Sequence, residues 1–237
     1  MDGVVMAIGA AWEALPYILG GLWWTAGLII GAMALGLTLG VPMAVLHVYG
    51  GPVTRRLVAF YVWLFRGIPI LVQLYLFYFG ILAYLSEMPA LSFLPLSSAF
   101  LAAVIVLGLT SAAYQSQIFR GAIQSLPPGQ LKAARALGMS DGAAVRSIIL
   151  PQALRLSIPA WSNEYSILLK DSALAFTIGV MEIMSRTRSV ASTTHQPLPF
   201  SLLAGAIFFF LTWAGIKALK SLEDKVRIPG YTHQGTL

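Results

Sequence analysis

"QLKAARALGMSDGAAVRSIILP", Gln130–Pro151, is the stretch on which the reading of the whole chain turns. It sets Lys132, Arg135, Asp141 and Arg146 around an alanine-rich turn and two glycines, Gly138 and Gly142. Alanine, leucine, lysine and arginine are strong helix formers, yet a helix of fewer than about 12–15 residues is marginal alone in water. The element therefore needs a surface. Ala133, Ala134 and Ala136 give it little bulk and Gly138 ends it, a shape suited to a groove in another protein. Packing against its own chain is the other arrangement the spacing allows.

The flanking sequence is of a different kind. Of 237 residues, 58% are hydrophobic and only 10% charged, with a mean hydropathy of +0.79, where soluble domains run at about a quarter charged. This is the composition of an all-α integral membrane protein. No polar linker, low-complexity segment or internal repeat divides it, so residues 1–237 are expected to form one transmembrane domain. The absence of cysteine excludes disulfides, thiolate metal sites and cysteine nucleophiles. The net charge of +6 is explained by basic loops on the cytoplasmic side and calls for no nucleic acid. Arg55 is the first basic residue, so a secretory signal is not expected at the N-terminus.

A membrane crossing takes about 20 apolar residues, which predicts about five spans, at 20–48, 68–85, 98–119, 157–183 and 199–219. The glycine pairs Gly27/Gly31 and Gly36/Gly40 suit close helix approach in the first span. Before the second, "RRLVAFYVWLF" is amphipathic, and Gly67 and Pro69 in "RGIP" turn the chain inward while Arg66 reaches the headgroups. With the N-terminus outside, the inner loops carry Arg55, Arg56, Arg120, Lys132, Arg135, Arg146, Arg155, Lys217, Lys220, Lys225 and Arg227, and the outer loops only Arg186 and Arg188. That asymmetry favours N-out and C-in. It places Ser140 inside, Ser92 outside, and a loop at 129–151 in the cytoplasm.

"KAARALG" followed by "IILPQALR" resembles the cytoplasmic coupling loop of the membrane permease subunits of binding-protein-dependent ABC importers. "FRGIPILVQLYLFYFG" (65–80), "AYQSQIFRGAIQSLPPGQ" (113–130) and "IPAWSNEYSILLKDSALAFTIGV" (158–180) are similar to the polar amino-acid class, which takes histidine, glutamine, arginine or opine-like substrates. The resemblance implies a type I importer fold in the bacterial inner membrane, two copies of a partner ATPase carrying ATP and Mg, a second permease subunit and an extracytoplasmic substrate-binding protein. It implies that Ala133, Ala134, Arg135, Leu137 and Gly138 contact the ATPase. "SALAF" and "HQPLPF" look more like permeases that pair with a related subunit than like self-pairing ones. Two positions depart from the family pattern. Lys132 stands where the loop motif has Glu, and Gln117 where "AY-AEI-RG" has Glu.

No G-x-x-x-x-G-K-[ST] loop occurs in the chain, so any ATP is hydrolysed by a partner. His47, His195 and His233 are isolated, no metal-ligating cluster or hydrolase motif is present, and neither catalysis nor a bound cofactor is expected of this chain. What chemistry there is lies in the fourth span. Glu164, Asp171 and Glu182 are 7 and 11 residues apart, which on one continuous helix brings them within about 20° of each other. A charge near the bilayer centre costs about 2.5–3.5 kcal/mol on insertion scales, so it faces water, a partner or a ligand. Glu182 is expected to pair with Arg186. Glu164 and Asp171 either join an internal ion-pair network with Lys170 or Arg155 or bind a cation, and Lys170, adjacent to Asp171, points about 100° away. In the resembling permeases "NE-----KD" lies on the translocation pathway, which implies substrate contacts for Asn163, Glu164 and Asp171. An ion-coupled transporter and a non-transporting membrane scaffold are the competing classes.

Overall fold

The structure is a computed structural model and describes residues 2–91 and 93–226; Ser92, Arg227 and His233 lie outside the described residues. Every regular element among those residues is helical. α1 (Asp2–Leu19), α2 (Leu22–Tyr49), α3 (Pro52–Gly67) and α4 (Ile70–Tyr75) lead through a π-helical turn, Leu76–Leu82, to α5 (Ala83–Ser86) and α6 (Ala99–Gln124). α7 (Gly129–Ala136) and α8 (Asp141–Ala144) precede α9 (Leu150–Ser172), a 3-10 segment at Ala173–Ile178, α10 (Ile183–Thr194) and α11 (Pro197–Val226).

The centre of the bundle is the pair α2 and α6. A Cβ on Gly36 would strike the Gln115 side chain, and one on Gly40 would lie 3.1 Å from the Ser116 nitrogen. These glycines are what lets the two backbones meet. In lipid, where apolar surface is not driven together by water, such close packing is the main source of helix association. Leu28, Ala32, Ala103, Leu107 and Leu169 are fully buried around this seam. α9 packs across it, touching α2, α6 and α11. Outside lies α11, whose Phe209, Phe210 and Trp213 are exposed, as lipid-facing side chains should be.

Among the described residues, α2, α6 and α11 are long and apolar enough to cross a membrane. The pair Pro52–Gly67 and Ile70–Ser86, bent by 101°, makes a fourth crossing if taken together. The bend has a local cause. Pro69 lacks an N–H and pushes Ile68 into extended geometry (φ −93, ψ 130). Buried Gln73 then satisfies the carbonyls released there, its Nε2 donating to Phe65 O at 2.9 Å and Ile68 O at 2.8 Å.

The expected span at 157–183 is not one helix. α9 starts earlier, at Leu150, and carries Arg155, Glu164, Lys170 and Asp171, which keeps it out of the apolar class. It gives way after Ser172 to the 3-10 segment, which Gly179 closes with a φ of 98. Glu182 is therefore not on the face shared by Glu164 and Asp171. Its carboxylate caps α10 instead, accepting from Met184 N at 2.7 Å and Ser185 N at 2.6 Å. Nor does Arg186 pair with it: the guanidinium donates to Tyr17 O at 3.0 Å and Met181 O at 3.2 Å, fastening α10 to the end of α1. Neither α1 nor α10 belongs to the five spans expected; Ile18, Ile183 and Phe200 form a small core that joins them to α11.

Candidate functional site

At the bend between α3 and α4 the chain forms an open cavity of about 340 Å³ lined by Arg66, Gly67, Pro69, Thr110, Tyr114 and Asp171. Each element contributes for a local reason. The Pro69 break exposes the end of α3, and α6 presents Thr110 and Tyr114 on one face, four residues apart. Asp171 stands in the last turn of α9. Thr110 Oγ1 donates to Gln73 Oε1 at 3.0 Å, so the clamp that holds the bend also ties it to α6. Arg66 lies over the Tyr114 ring, 4.7 Å from its centroid, a favourable cation–π contact.

Glu164 sits one layer deeper. It is 3% exposed and accepts from Ser111 Oγ at 2.7 Å. Gln115, wholly buried, donates to Ser111 Oγ at 3.0 Å and to Met33 O at 3.3 Å, and accepts from Trp161 Nε1 at 2.9 Å. The result is a continuous polar chain from Trp161 to Glu164 between α2, α6 and α9. Glu164 and Asp171 stand seven residues apart on the continuous helix α9, about two turns, and so share one of its faces. Asn163 does not join it, because it is exposed on α9 about 100° around from Glu164. Lys170 is likewise exposed. The motifs that single out the acids say nothing of Ser111, Gln115, Trp161 or Gln73; the signal available for them is polarity at i, i+4 spacing inside an apolar helix.

The loop at 129–151 forms a compact polar unit. α7 ends at Gly138, whose φ of 80 is open to glycine at no steric penalty. Ala134 is 2% exposed and faces its own chain, whereas Leu137 is 83% exposed. Ala133, Arg135 and Gly138 are exposed with it. Gln130 and Gln152 exchange hydrogen bonds of 3.0 and 2.9 Å, tying α7 to α9. Arg135 grips Asp141 with two contacts, Nε to Oδ1 at 2.6 Å and a second guanidinium N–H to Oδ2 at 2.8 Å. That hydrogen-bonded guanidinium holds the Asp141 carboxyl below the usual carboxylate range. The loop both packs on its own chain and leaves an outer face free.

The chain thus combines membrane-length helices, charges of both signs on an open cavity at the α3–α4 bend and a short helical loop with one exposed face. The family described as the inner membrane component of binding-protein-dependent transport systems matches residues 36–225, and the chain belongs to that family. Among its relatives are the nopaline transport system permease protein NocM of Agrobacterium fabrum, 35% identical over 85% of this chain and 84% of that protein, and the histidine/lysine/arginine/ornithine transport system permease protein HisM of Salmonella typhimurium, 34% identical over 85% and 86%. A solved amino acid ABC transporter with histidines superposes with a TM-score of 0.76 at 31% identity, covering 90% of this chain and 95% of that one. The inward-facing MetNI methionine ABC transporter, at 19% identity, a TM-score of 0.76 and coverage of 90% and 97%, shares the fold. The architecture is that of a type I ABC importer permease, a multi-pass inner-membrane subunit.

Proposed function

We propose that the chain forms the translocation pathway of an ATP-driven importer for polar amino acids, with basic ones preferred. The observation that carries this is the pair of acids on one face of α9: Glu164 buried beside α6, and Asp171 on the cavity. Carboxylates in that position suit an ammonium or guanidinium group through charge-assisted hydrogen bonds. The transport systems named for nopaline, arginine and histidine/lysine/arginine/ornithine among the relatives support a substrate of this kind. Asn163 adds a polar contact at the exposed edge of α9.

Two ATPase subunits, which bind the ATP and Mg, dock on the loops of two permease subunits. The second of these is a related chain rather than a copy. Ala133, Arg135, Leu137 and Gly138 make the ATPase contact, while Ala134 seats the helix on the permease. A binding protein delivers substrate from outside, the N-terminus lies outside and α9 completes five crossings.

The test is uptake of labelled basic and neutral amino acids by the complex reconstituted in vesicles. Glu164→Gln and Asp171→Asn each remove one partner of a desolvated charge interaction, a loss of about 2–5 kcal/mol. Uptake at low substrate should collapse while assembly and basal ATP hydrolysis persist, more severely for the basic amino acid. Undiminished uptake by both variants would reduce the acids to a structural role. Uptake driven by an ion gradient without any ATPase would move the protein to the secondary transporters.

A further inference from the structure

Between α2, α9 and α11 lies an open hollow of about 440 Å³, walled by Leu22, Trp23, Ala26 and Ile30 of α2, Leu169 of α9 and Leu211 of α11. From Leu22 to Ile30 the wall follows α2 for roughly 12 Å at 1.5 Å per residue, comparable with half of a hydrocarbon core about 30 Å thick. The polar groups in the wall are already bound: Thr25 Oγ1 accepts from Ile183 N at 3.4 Å, and the Tyr165 hydroxyl donates to Leu211 O at 3.0 Å. What remains is hydrocarbon. The mouth differs. Leu19 belongs to its rim, Trp23 is 84% exposed, and Arg186 stands beside Gly20, where a Cβ would lie 2.7 Å from its Nη1. The Arg186 guanidinium covers the Tyr17 ring at 4.9 Å and donates to the Tyr17 and Met181 carbonyls. Both acceptors are neutral, and among the described residues no carboxylate pairs with it, so its charge is uncompensated. An apolar slot one leaflet deep that ends at an indole, a phenol and a guanidinium has the polarity profile of half a bilayer, acyl chain within and charged headgroup at the rim.

We infer that this hollow is the binding site of one anionic phospholipid, with an acyl chain lying along α2 from Trp23 to Ile30 and the phosphate meeting Arg186. Charge selects the headgroup. A phosphate oxygen takes charge-assisted hydrogen bonds from a guanidinium, and an anionic lipid, unlike a zwitterionic one, brings no ammonium to compete for them. Size selects what lies below it. Spread over its depth, the volume corresponds to a channel about 7 Å wide, too narrow for an α-helix of about 10–12 Å. A transmembrane segment of another subunit does not fit there, and a single hydrocarbon chain does. Tyr165 marks the floor, its ring seated against Gly215, where a Cβ would overlap it. The lipid chain thus touches α2, α9 and α11 together and completes the packing of helices that water does not drive together. Its headgroup sits where Arg186 fastens α10 to the end of α1.

In the experiment, the complete transporter is stripped of lipid in detergent and titrated with phosphatidylglycerol or phosphatidylcholine, and the lipids retained per complex are counted by native mass spectrometry. Wild type should hold one phosphatidylglycerol per copy of this chain about tenfold more tightly than phosphatidylcholine, as one charge-assisted contact implies. Arg186→Gln should erase that preference by weakening phosphatidylglycerol alone, and Arg186→Lys should restore part of it. Because Arg186 also fastens α10 to α1, a second variant leaves it in place: Ala26→Phe fills the hollow and should weaken both lipids alike. Absence of a preference in wild type, or full affinity for phosphatidylglycerol in either Arg186→Gln or Ala26→Phe, overturns the inference. A photoreactive probe attached to Ile30→Cys should cross-link to lipid; cross-linking to the second permease subunit instead would give the hollow to a protein and overturn it as well.

Discussion

Gln73 illustrates how one side chain can decide the shape of a pathway. A broken helix in a membrane leaves carbonyls that water cannot reach, and they must be satisfied from within the protein. Gln73 does this for Phe65 and Ile68 while accepting from Thr110, using both ends of its amide. Leucine fills nearly the same volume but offers neither donor nor acceptor. Gln73→Leu should therefore leave buried polar groups unpaired at about 1–3 kcal/mol each, lower the thermal midpoint of the purified complex and abolish uptake. Glutamate at this position would keep the acceptor for Thr110 and lose both donors. Gln73→Glu should fall between wild type and Gln73→Leu in thermal unfolding, and a midpoint equal to wild type for Gln73→Leu would mean that the bend is held by something else.

α7 is short enough that its orientation depends on its ties: Ala134 beneath it, Gln130 to Gln152, and Arg135 to Asp141 across the turn. The proposed docking face needs the sharp stop at Gly138, where φ is 80. Gly138→Trp places a bulky, β-carbon-bearing residue in a left-handed conformation beside exposed Leu137. It should abolish co-purification of the ATPase and substrate-stimulated hydrolysis while the membrane bundle stays folded; survival of both activities would refute the docking face. The Arg135 pair adds a pH dependence of known sign. Because the Asp141 carboxyl is held below its ordinary range, the pair contributes above that range and is lost as pH falls through the lowered value. Exposure and salt keep this contribution small. The loop was legible in sequence because helix propensity, small residues and a terminal glycine coincide within one short segment. The run at 157–183 misled because summed hydropathy does not register a helix that ends at Ser172, nor the left-handed Gly179 that turns the chain. With that turn the periodicity argument holds for Glu164 and Asp171 and fails for Glu182. The pairing of Arg66 with the cavity was invisible for another reason: it joins α3 to α6 and α9, and local pattern carries no information about which distant segments meet.

The whole molecule places its polar loop and its α10 segment at opposite ends in the proposed orientation, which follows from eleven basic residues assigned to inner loops against Arg186 and Arg188 outside. Structure lends α10 a reason to tolerate two arginines there, since Arg186 is occupied by Tyr17 and Met181 carbonyls and Arg188 lies over the Phe176 ring at 4.5 Å. These contacts do not settle direction, because they would form whichever way the bundle faced. Labelling does. The chain has no cysteine, so a single one introduced at Ser140, which caps α8, or at exposed Ser192 on α10 gives an unambiguous signal. In intact spheroplasts an impermeant thiol reagent should modify the cysteine of Ser192→Cys and leave that of Ser140→Cys untouched until the membrane is opened. Because Ser140 lies beside the proposed ATPase contact, its labelling after lysis should also slow when the ATPase is bound, linking direction to docking in one measurement. Modification of Ser140→Cys in intact cells together with protection of Ser192→Cys would invert the protein in the membrane, and the docking loop could not then meet a cytoplasmic ATPase.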